Sequence, residues 1–205
     1  MRFALNSGTT AAKPVERPDG GITVVATAIP EVLIIEPRLF GDQRGFFCEI
    51  YQAGRYGSQG VERPFVQDNL SRSTRGVLRG LHFQNPRSQG KLVTVLRGSV
   101  LDVAVDIRLG SPTFGRHVAV ELDEDKRRQM WIPRGFAHGF LVLSESADFF
   151  YKCDELYSPA DEVALRWNDA AIGIKWGIDA PFLSARDAAA PTLADTKGLP
   201  LFGRC

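Results

Sequence analysis

Sulfur and imidazole are scarce in this chain of 205 residues, which has three cysteines, two methionines and three histidines. Cys48, Cys153 and Cys205 are an odd set without CxxC spacing, and the first two sit inside apolar runs. That pattern excludes a disulfide framework and predicts reduced, partly buried thiols in a cytoplasmic protein. With only His82, His117 and His138 as imidazoles, a stable transition-metal site would need carboxylate help. Net charge is nearly absent as well. A formal charge of +1 leaves no global footprint for nucleic acid or an anionic membrane, so any anionic ligand must be held by local cations. No apolar run approaches the length that spans a bilayer, and the N-terminus has no signal-type apolar core. A glycine-rich dinucleotide loop is missing too, and helical patterning is sparse.

What the chain does have is many short runs rich in Val, Ile and Phe: ITVVATAI, VLIIEP, FFCEIYQ, KLVTVL, SVLDVAVDIR, RHVAVEL, FLVL, DFFYKC and EVALRW. Gly, Pro and Asp punctuate them, which predicts an all-β sandwich or barrel. Leu101, Val103, Val105 and Ile107 alternate with Val100, Asp102, Ala104 and Asp106, so that strand has one purely apolar face and one mixed face able to line a cavity. Short helices are expected only in YQAGRYGSQG and after Pro181. Residues 1–21 mix polar and turn residues without periodicity and are read as a loose arm preceding a single domain from 22 to 205.

The stretch Phe65 to Val95 stands apart. It sets Gln67, Asn69, Arg79, His82 and Lys91 among apolar positions, in two strand-like runs joined by a Pro and Gly turn. A segment serving only to fill a core would not carry so many polar groups. It is read as the floor and wall of an active site.

Pro133, Gly135 and His138 in IPRGFAHGF form a P-x-G-x-x-H pattern that resembles the second motif of the cupin jelly-roll family. The first cupin motif of metal-binding members carries an H-x-H pair. Its nearest counterpart here is His82-Phe83-Gln84, which lacks one imidazole, so a metal-free cupin is expected. Further motifs follow in order: FGDQRGFFCE from Phe40, FVQDNLSRSTRGVLRGLHFQ from Phe65, QGKLV from Gln89, GSVLDVAVDIR from Gly98, YKCDELYSPADE from Tyr151, WNDAAIGIKW from Trp167 and LSARD from Leu183. Together they resemble the dTDP-4-dehydrorhamnose 3,5-epimerase family of nucleotide-sugar epimerases.

That resemblance implies a cupin-like jelly roll with a few short peripheral helices, no cofactor, a dTDP-linked 4-keto-6-deoxyhexose as substrate, and a homodimer formed by β-sheet exchange or pairing. It implies His82 as general base, Asp187 as its orienting carboxylate, Lys91 as the catalytic lysine and Tyr151 as general acid. Tyr157 matches a tyrosine that stacks on the nucleotide base. Arg44, Glu49, Gln67, Asn69, Arg79, His138 and Glu162 match positions that contact the nucleotide sugar, with Arg44 and Arg79 expected on the pyrophosphate side. Arg186, also read as a substrate contact, stands where the family usually has lysine.

The chemistry accounts for these residue types. A hydrogen α to a ketone is too weakly acidic for a histidine to remove unless the developing enolate is stabilised, so a base and a cation are needed together. A second proton must then arrive from the other face, and a phenol supplies it. Taken singly, each group has a plainer reading. His82 fits a hydrogen-bonded core histidine, Lys91 and Arg79 fit strand-edge charges, Tyr151 and Tyr157 fit core aromatics, and Asp187 fits a turn or cap residue. Asp102 is a candidate for supporting the site from behind. Three other functions stay open at this level: an enzyme inverting C3 or C5 alone, a sugar-binding cupin without chemistry, and a metal-dependent cupin oxygenase.

Overall fold

The run at 99–106 alternates as expected, and nearly all of it is buried on both faces. Two-sided burial requires a layer on each side, and the rest of the chain supplies both. The computed structural model describes residues 21–205, so the expected N-terminal arm lies outside the described residues but for Gly21.

In chain order the strands are β1 (Ile22–Ala26), β2 (Leu33–Pro37), β3 (Leu39–Asp42), β4 (Gly45–Cys48), β5 (Gln67–Thr74), β6 (Leu78–Gln84) and β7 (Lys91–Arg97). They continue with β8 (Ser99–Asp106), β9 (His117–Asp123), β10 (Gln129–Ile132), β11 (Phe136–Val142), β12 (Ser146–Cys153) and β13 (Glu162–Ala164). The two helices, α1 (Ala53–Gly57) and α2 (Ala185–Ala188), fall in the two segments where helix was expected. One sheet has the order β1-β2-β10-β7-β12-β5 and the other β13-β6-β11-β8-β9, while β3 and β4 form a separate hairpin. From β5 onward successive strands mostly switch sheets, as in a jelly roll. Each wall of the space between the sheets is therefore built by alternate parts of the sequence.

The sandwich core runs between the sheets. Val93, Val95, Met130, Ile132 and Phe149 come from one side, and Val100, Ala104, Leu122, Phe136, Phe140 and Val142 from the other. The mixed face of β8 thus points inward, carrying Asp102 with it. Its apolar face packs Val103, Val105 and Ile107 outward against Leu165, Ile172, Ile174, Trp176 and Leu193 of the C-terminal segment. On the other sheet's outer face, Ile35, Leu92 and Trp131 are covered by Tyr56 of α1 and by Val61.

The stretch from Phe65 to Val95 corrects the expectation of two strand-like runs, because it holds three strands, β5, β6 and β7. Strand β5, QDNLSRST, is polar on both faces and so carries no apolar period. Its outward Asp68 and Arg72 pair with Lys152 at 2.8 Å and Asp148 at 2.6 Å on β12, while the row Gln67, Asn69, Ser71 and Ser73 is the more buried. Likewise FFCEIYQ is strand only in its first residues, and the four-residue β10, QMWI, was not anticipated.

One buried ion pair anchors the end of β8. Asp106 accepts from Arg108 Nε at 2.8 Å and Nη2 at 2.7 Å, from Ser111 Oγ at 2.5 Å and from Thr113 Oγ1 at 2.6 Å. Burial opposes its ionisation, but the hydrogen bonds from Arg108, Ser111 and Thr113 win and hold its pKa at about 2. Because the folded value lies below the unfolded one, this stabilisation is complete above about pH 4 and is lost as pH falls toward 2; the depression corresponds to about 2 kcal/mol. Asp106→Ala leaves the Arg108 guanidinium buried without its main partner and should cost about 3 kcal/mol or more at pH 7. Chemical denaturation checks this, and a loss under 0.5 kcal/mol, roughly the effect of an ordinary surface change, would reject it.

Candidate active site

Between the sheets the apolar core stops at Phe140 and Phe149, whose rings stack 4.0 Å apart, and beyond them opens a cavity of about 730 Å³. That volume suits a ligand the size of a sugar nucleotide portion. His82, Arg79 and His138 line it from β6 and β11 of one sheet, and Lys91 and Tyr151 from β7 and β12 of the other.

A bulge aims the first wall. On β11 His138 pairs with His82 and Phe140 with Arg79, so the single residue Gly139 faces both Gly80 and Leu81. The extra residue lets Arg79 and His82, three apart in sequence, line the same cavity. Gly80 makes it possible. It sits at φ +110°, and a Cβ there would lie 2.6 Å from the His138 carbonyl oxygen and 2.8 Å from Gly139 Cα.

His82 Nε2 lies 2.6 Å from Asp187 Oδ1, and the carboxylate is almost wholly buried. Burial raises the Asp187 pKa, but the His82 contact outweighs it and the group stays below the usual carboxylate range. An ionised Asp187 accepts from Nε2–H, which leaves the lone pair on Nδ1. Ser184 caps α2 by accepting from Asp187 N at 3.1 Å, so the short helix fixes where the carboxylate stands. The plainer reading of Asp187 as a cap residue is corrected, because the cap is Ser184 and Asp187 lies inside the helix with its own backbone N–H capped.

His138 forms a second such pair, with Nε2 2.7 Å from Asp102 Oδ1, and its ring lies over Phe149. Asp102 is fully buried and its Oδ2 has no hydrogen-bond partner among the described residues; burial pushes its pKa up. Burial depresses the pKa of Lys91, against the pull of Cys153, Asp154 and Glu162. Tyr151 is pushed up to about 12, chiefly by burial, so it is a protonated phenol at neutral pH.

At the mouth, Glu162 accepts from Tyr157 OH at 2.8 Å and pairs with Arg186. Burial opposes its ionisation, but the bonds from Tyr157 and Arg186 hold it low. Gln67 and Asn69 stand behind Tyr157, with Gln67 Oε1 accepting from Tyr157 N at 2.8 Å and Gln67 Nε2 donating to Asn69 Oδ1 at 2.9 Å. They support the cavity rim without lining it. Two expected contacts lie elsewhere. Arg44 is at the tip of the β3–β4 hairpin, with a side chain 90% exposed and paired to Asp42, and Glu49 pairs with Arg55; neither lines the cavity. Sequence reasoning missed Phe140, Phe149 and Phe182 as lining residues, since an aromatic in an apolar run carries no sign of facing a cavity. Among the described residues, no three His, Cys, Asp or Glu side chains converge as metal ligands would.

An imidazole paired with a carboxylate on one wall, with a protonated phenol and a lysine on the other, is a set of groups that an epimerase needs, and the two-sheet frame is of the cupin kind. The sequence profile of dTDP-4-dehydrorhamnose 3,5-epimerase matches residues 26–195. The enzyme of that name from Salmonella typhimurium is 56% identical over 173 residues, covering 83% of this chain and 94% of the relative. The one from Pseudomonas aeruginosa is 52% identical over 84% of this chain and 97% of its own length. The crystal structure of a dTDP-6-deoxy-D-glucose-3,5-epimerase from Legionella pneumophila, in complex with dTDP-4-keto-L-rhamnose, superposes with a TM-score of 0.86 at 52% identity. It covers 88% of this chain and 98% of that one. The chain belongs to the dTDP-4-dehydrorhamnose 3,5-epimerase family of isomerases.

Gly80→Ala tests the bulge. Its Cβ must displace β11 at the point where His82 and His138 are placed, so the variant should lose about 2–4 kcal/mol of stability from strain and overpacking. Turnover should fall about a hundredfold as His82 and His138 move. Thermal unfolding and turnover measured together check this, and parent-like values in both would show that the strands have room.

Proposed function

We propose that the chain inverts C3 and C5 of dTDP-4-dehydro-6-deoxyglucose through enolate intermediates, giving dTDP-4-dehydro-L-rhamnose. The observation that carries this is the placement of His82 on β6 and Tyr151 on β12, on opposite sheets across one cavity. The names of the relatives support the choice of substrate and of both centres.

Each inversion is redox-neutral. His82 Nδ1 takes the proton from the carbon next to the C4 ketone, and the electron pair of that C–H bond moves into the enolate. Lys91 offsets the charge on the enolate oxygen. Tyr151 then gives its phenolic proton to the same carbon from the other face, and the phenolate and imidazolium return to their resting states through solvent. Asp187 holds the His82 tautomer throughout. No cofactor enters these steps. Arg79, His138, Tyr157, Glu162 and Arg186 contact the nucleotide sugar, with Tyr157 against the base and Gln67 and Asn69 bracing it.

Arg44 and Glu49 enter this proposal through a homodimer. The β3–β4 hairpin stands apart from both larger sheets among the described residues and exposes Phe46 and Phe47 by 58% and 67%. Such a patch is costly to leave in water, and a second copy of the chain covering it would bring Arg44 toward that copy's cavity. Three unpaired thiols suit a reducing, cytoplasmic setting.

Incubation with dTDP-4-dehydro-6-deoxyglucose in deuterated water tests the chemistry. Deuterium should enter at C3 and C5 with inversion; label at C3 alone would make the enzyme a single-centre epimerase. His82→Ala should lower exchange about 10²- to 10⁴-fold, and near-parent exchange in the folded variant would reject His82 as base. Tyr151→Phe keeps the ring and removes the donor, so deuterium should still wash in with retained configuration while inverted product falls sharply.

Light scattering after gel filtration tests the assembly. The parent should run as a dimer, and Phe46→Ser with Phe47→Ser should shift it toward monomer. A parent that is monomeric at micromolar concentration would overturn the dimer and leave Arg44 without a substrate role.

A further inference from the structure

Lys91 enters the cavity from the first position of β7, but what fixes it lies behind the wall. The preceding residue, Gly90, is tied to Asp154 in both directions. Gly90 N donates to Asp154 Oδ1 at 2.7 Å, and Asp154 N donates back to the Gly90 carbonyl at 3.1 Å. A side chain at position 90 has no room, because a Cβ would stand 2.5 Å from Trp131 Cη2 and 2.8 Å from Asp154 Oδ2. The Asp154 side chain is 1% exposed and is gripped by Arg134, whose Nε lies 3.2 and 3.0 Å from its two oxygens and whose Nη2 donates to the Asp154 carbonyl at 3.0 Å. Arg134 Nη2 also reaches Glu155 Oε2 at 3.4 Å.

Neither Asp154 nor Arg134 lines the cavity, so neither touches substrate there. Yet the negative charge of Asp154 is one of those that act on Lys91. The other groups facing the ammonium are accounted for. Cys153, its register partner on β12, is a neutral thiol because burial pushes its pKa to about 11. Tyr151 on β12 is a neutral phenol, and Glu162 on β13 is already engaged by Arg186 and Tyr157. His138 on β11, Arg79 and His82 on β6, and Asp187 on α2 share the same cavity. Of the carboxylates near Lys91, Asp154 is thus the one fastened to the backbone immediately before it, at Gly90.

We propose that Asp154 and Arg134 are a positioning pair of opposite charge for Lys91, Asp154 fixing the backbone at Gly90 immediately before it and Arg134 holding Asp154 in place. The proposal rests on Lys91 being the cation that faces the enolate. A dry wall strengthens charge effects of this kind relative to water. Uncharged replacement of the two partners should therefore move Lys91 in opposite directions, which a purely structural role would not do.

The test is a carbon NMR titration of protein labelled at lysine, with the Lys91 signal assigned by its loss in Lys91→Met. Asp154→Asn retains an acceptor for Gly90 N and removes the negative charge, so the Lys91 midpoint should fall by about one pH unit. Arg134→Gln leaves Asp154 unneutralised, so the midpoint should rise by a similar amount, and the double variant should lie between. The turnover of Asp154→Asn should fail at lower pH than the parent's, in kcat and not in KM. Midpoints that do not move, or move the same way in both variants, overturn the pair. Lys91→Met reports on the underlying reading by itself: parent-like deuterium exchange would remove Lys91 from the chemistry whatever the titration gives.

Discussion

Two sheets packed face to face must be held apart by whatever lies between them, and in this fold the spacer is made of two materials. At one end Val, Leu, Met and Phe side chains fill the gap to crystal-like density. At the other the stacked Phe140 and Phe149 end the filling, and the walls stay apart around a cavity. Everything chemical depends on that boundary. The stack supports the His138 ring and borders Tyr151.

Charge in so dry a place must be matched, and the described residues match it in pairs. His82 meets Asp187, His138 meets Asp102, Arg186 meets Glu162 and Arg134 meets Asp154. Pairing of this kind contributes little net stability, since desolvation offsets much of the attraction, but it fixes where each group points. Among the described residues Lys91 has no ion-pair partner within salt-bridge distance, which sets it apart from the other charged groups lining the cavity.

The β8 strand was legible because an apolar face and a mixed face alternate cleanly, and the structure gives each a different layer. Strand β5 was not, because its polarity serves a cavity rim on one side and surface ion pairs on the other. The ordered motifs pointed to His82, Lys91, Tyr151 and Asp187, and all four line one cavity. What no motif revealed is how they get there. The bulge at Gly80 depends on a backbone approach between β6 and β11, and the Gly90 tie depends on Asp154, over 60 residues away in sequence. Arg44 and Glu49 matched family positions as firmly as the others, yet they lie outside the cavity, since a linear pattern does not say which residues the fold brings together.

The C-terminal segment covers the outer face of the five-stranded sheet and then returns through α2 to hand Asp187 to His82. This gives the enzyme a time order as well as a shape. His82, Lys91 and Tyr151 all precede the wrapping layer in the chain, so they are synthesised before it. Until that layer packs, the histidine has no carboxylate to hold its tautomer, and the sandwich has a greasy outer face open to water. Completion of the fold and the seating of Asp187 against His82 are therefore one event, and the same last segment supplies Phe182, Ser184 and Arg186 to the cavity wall.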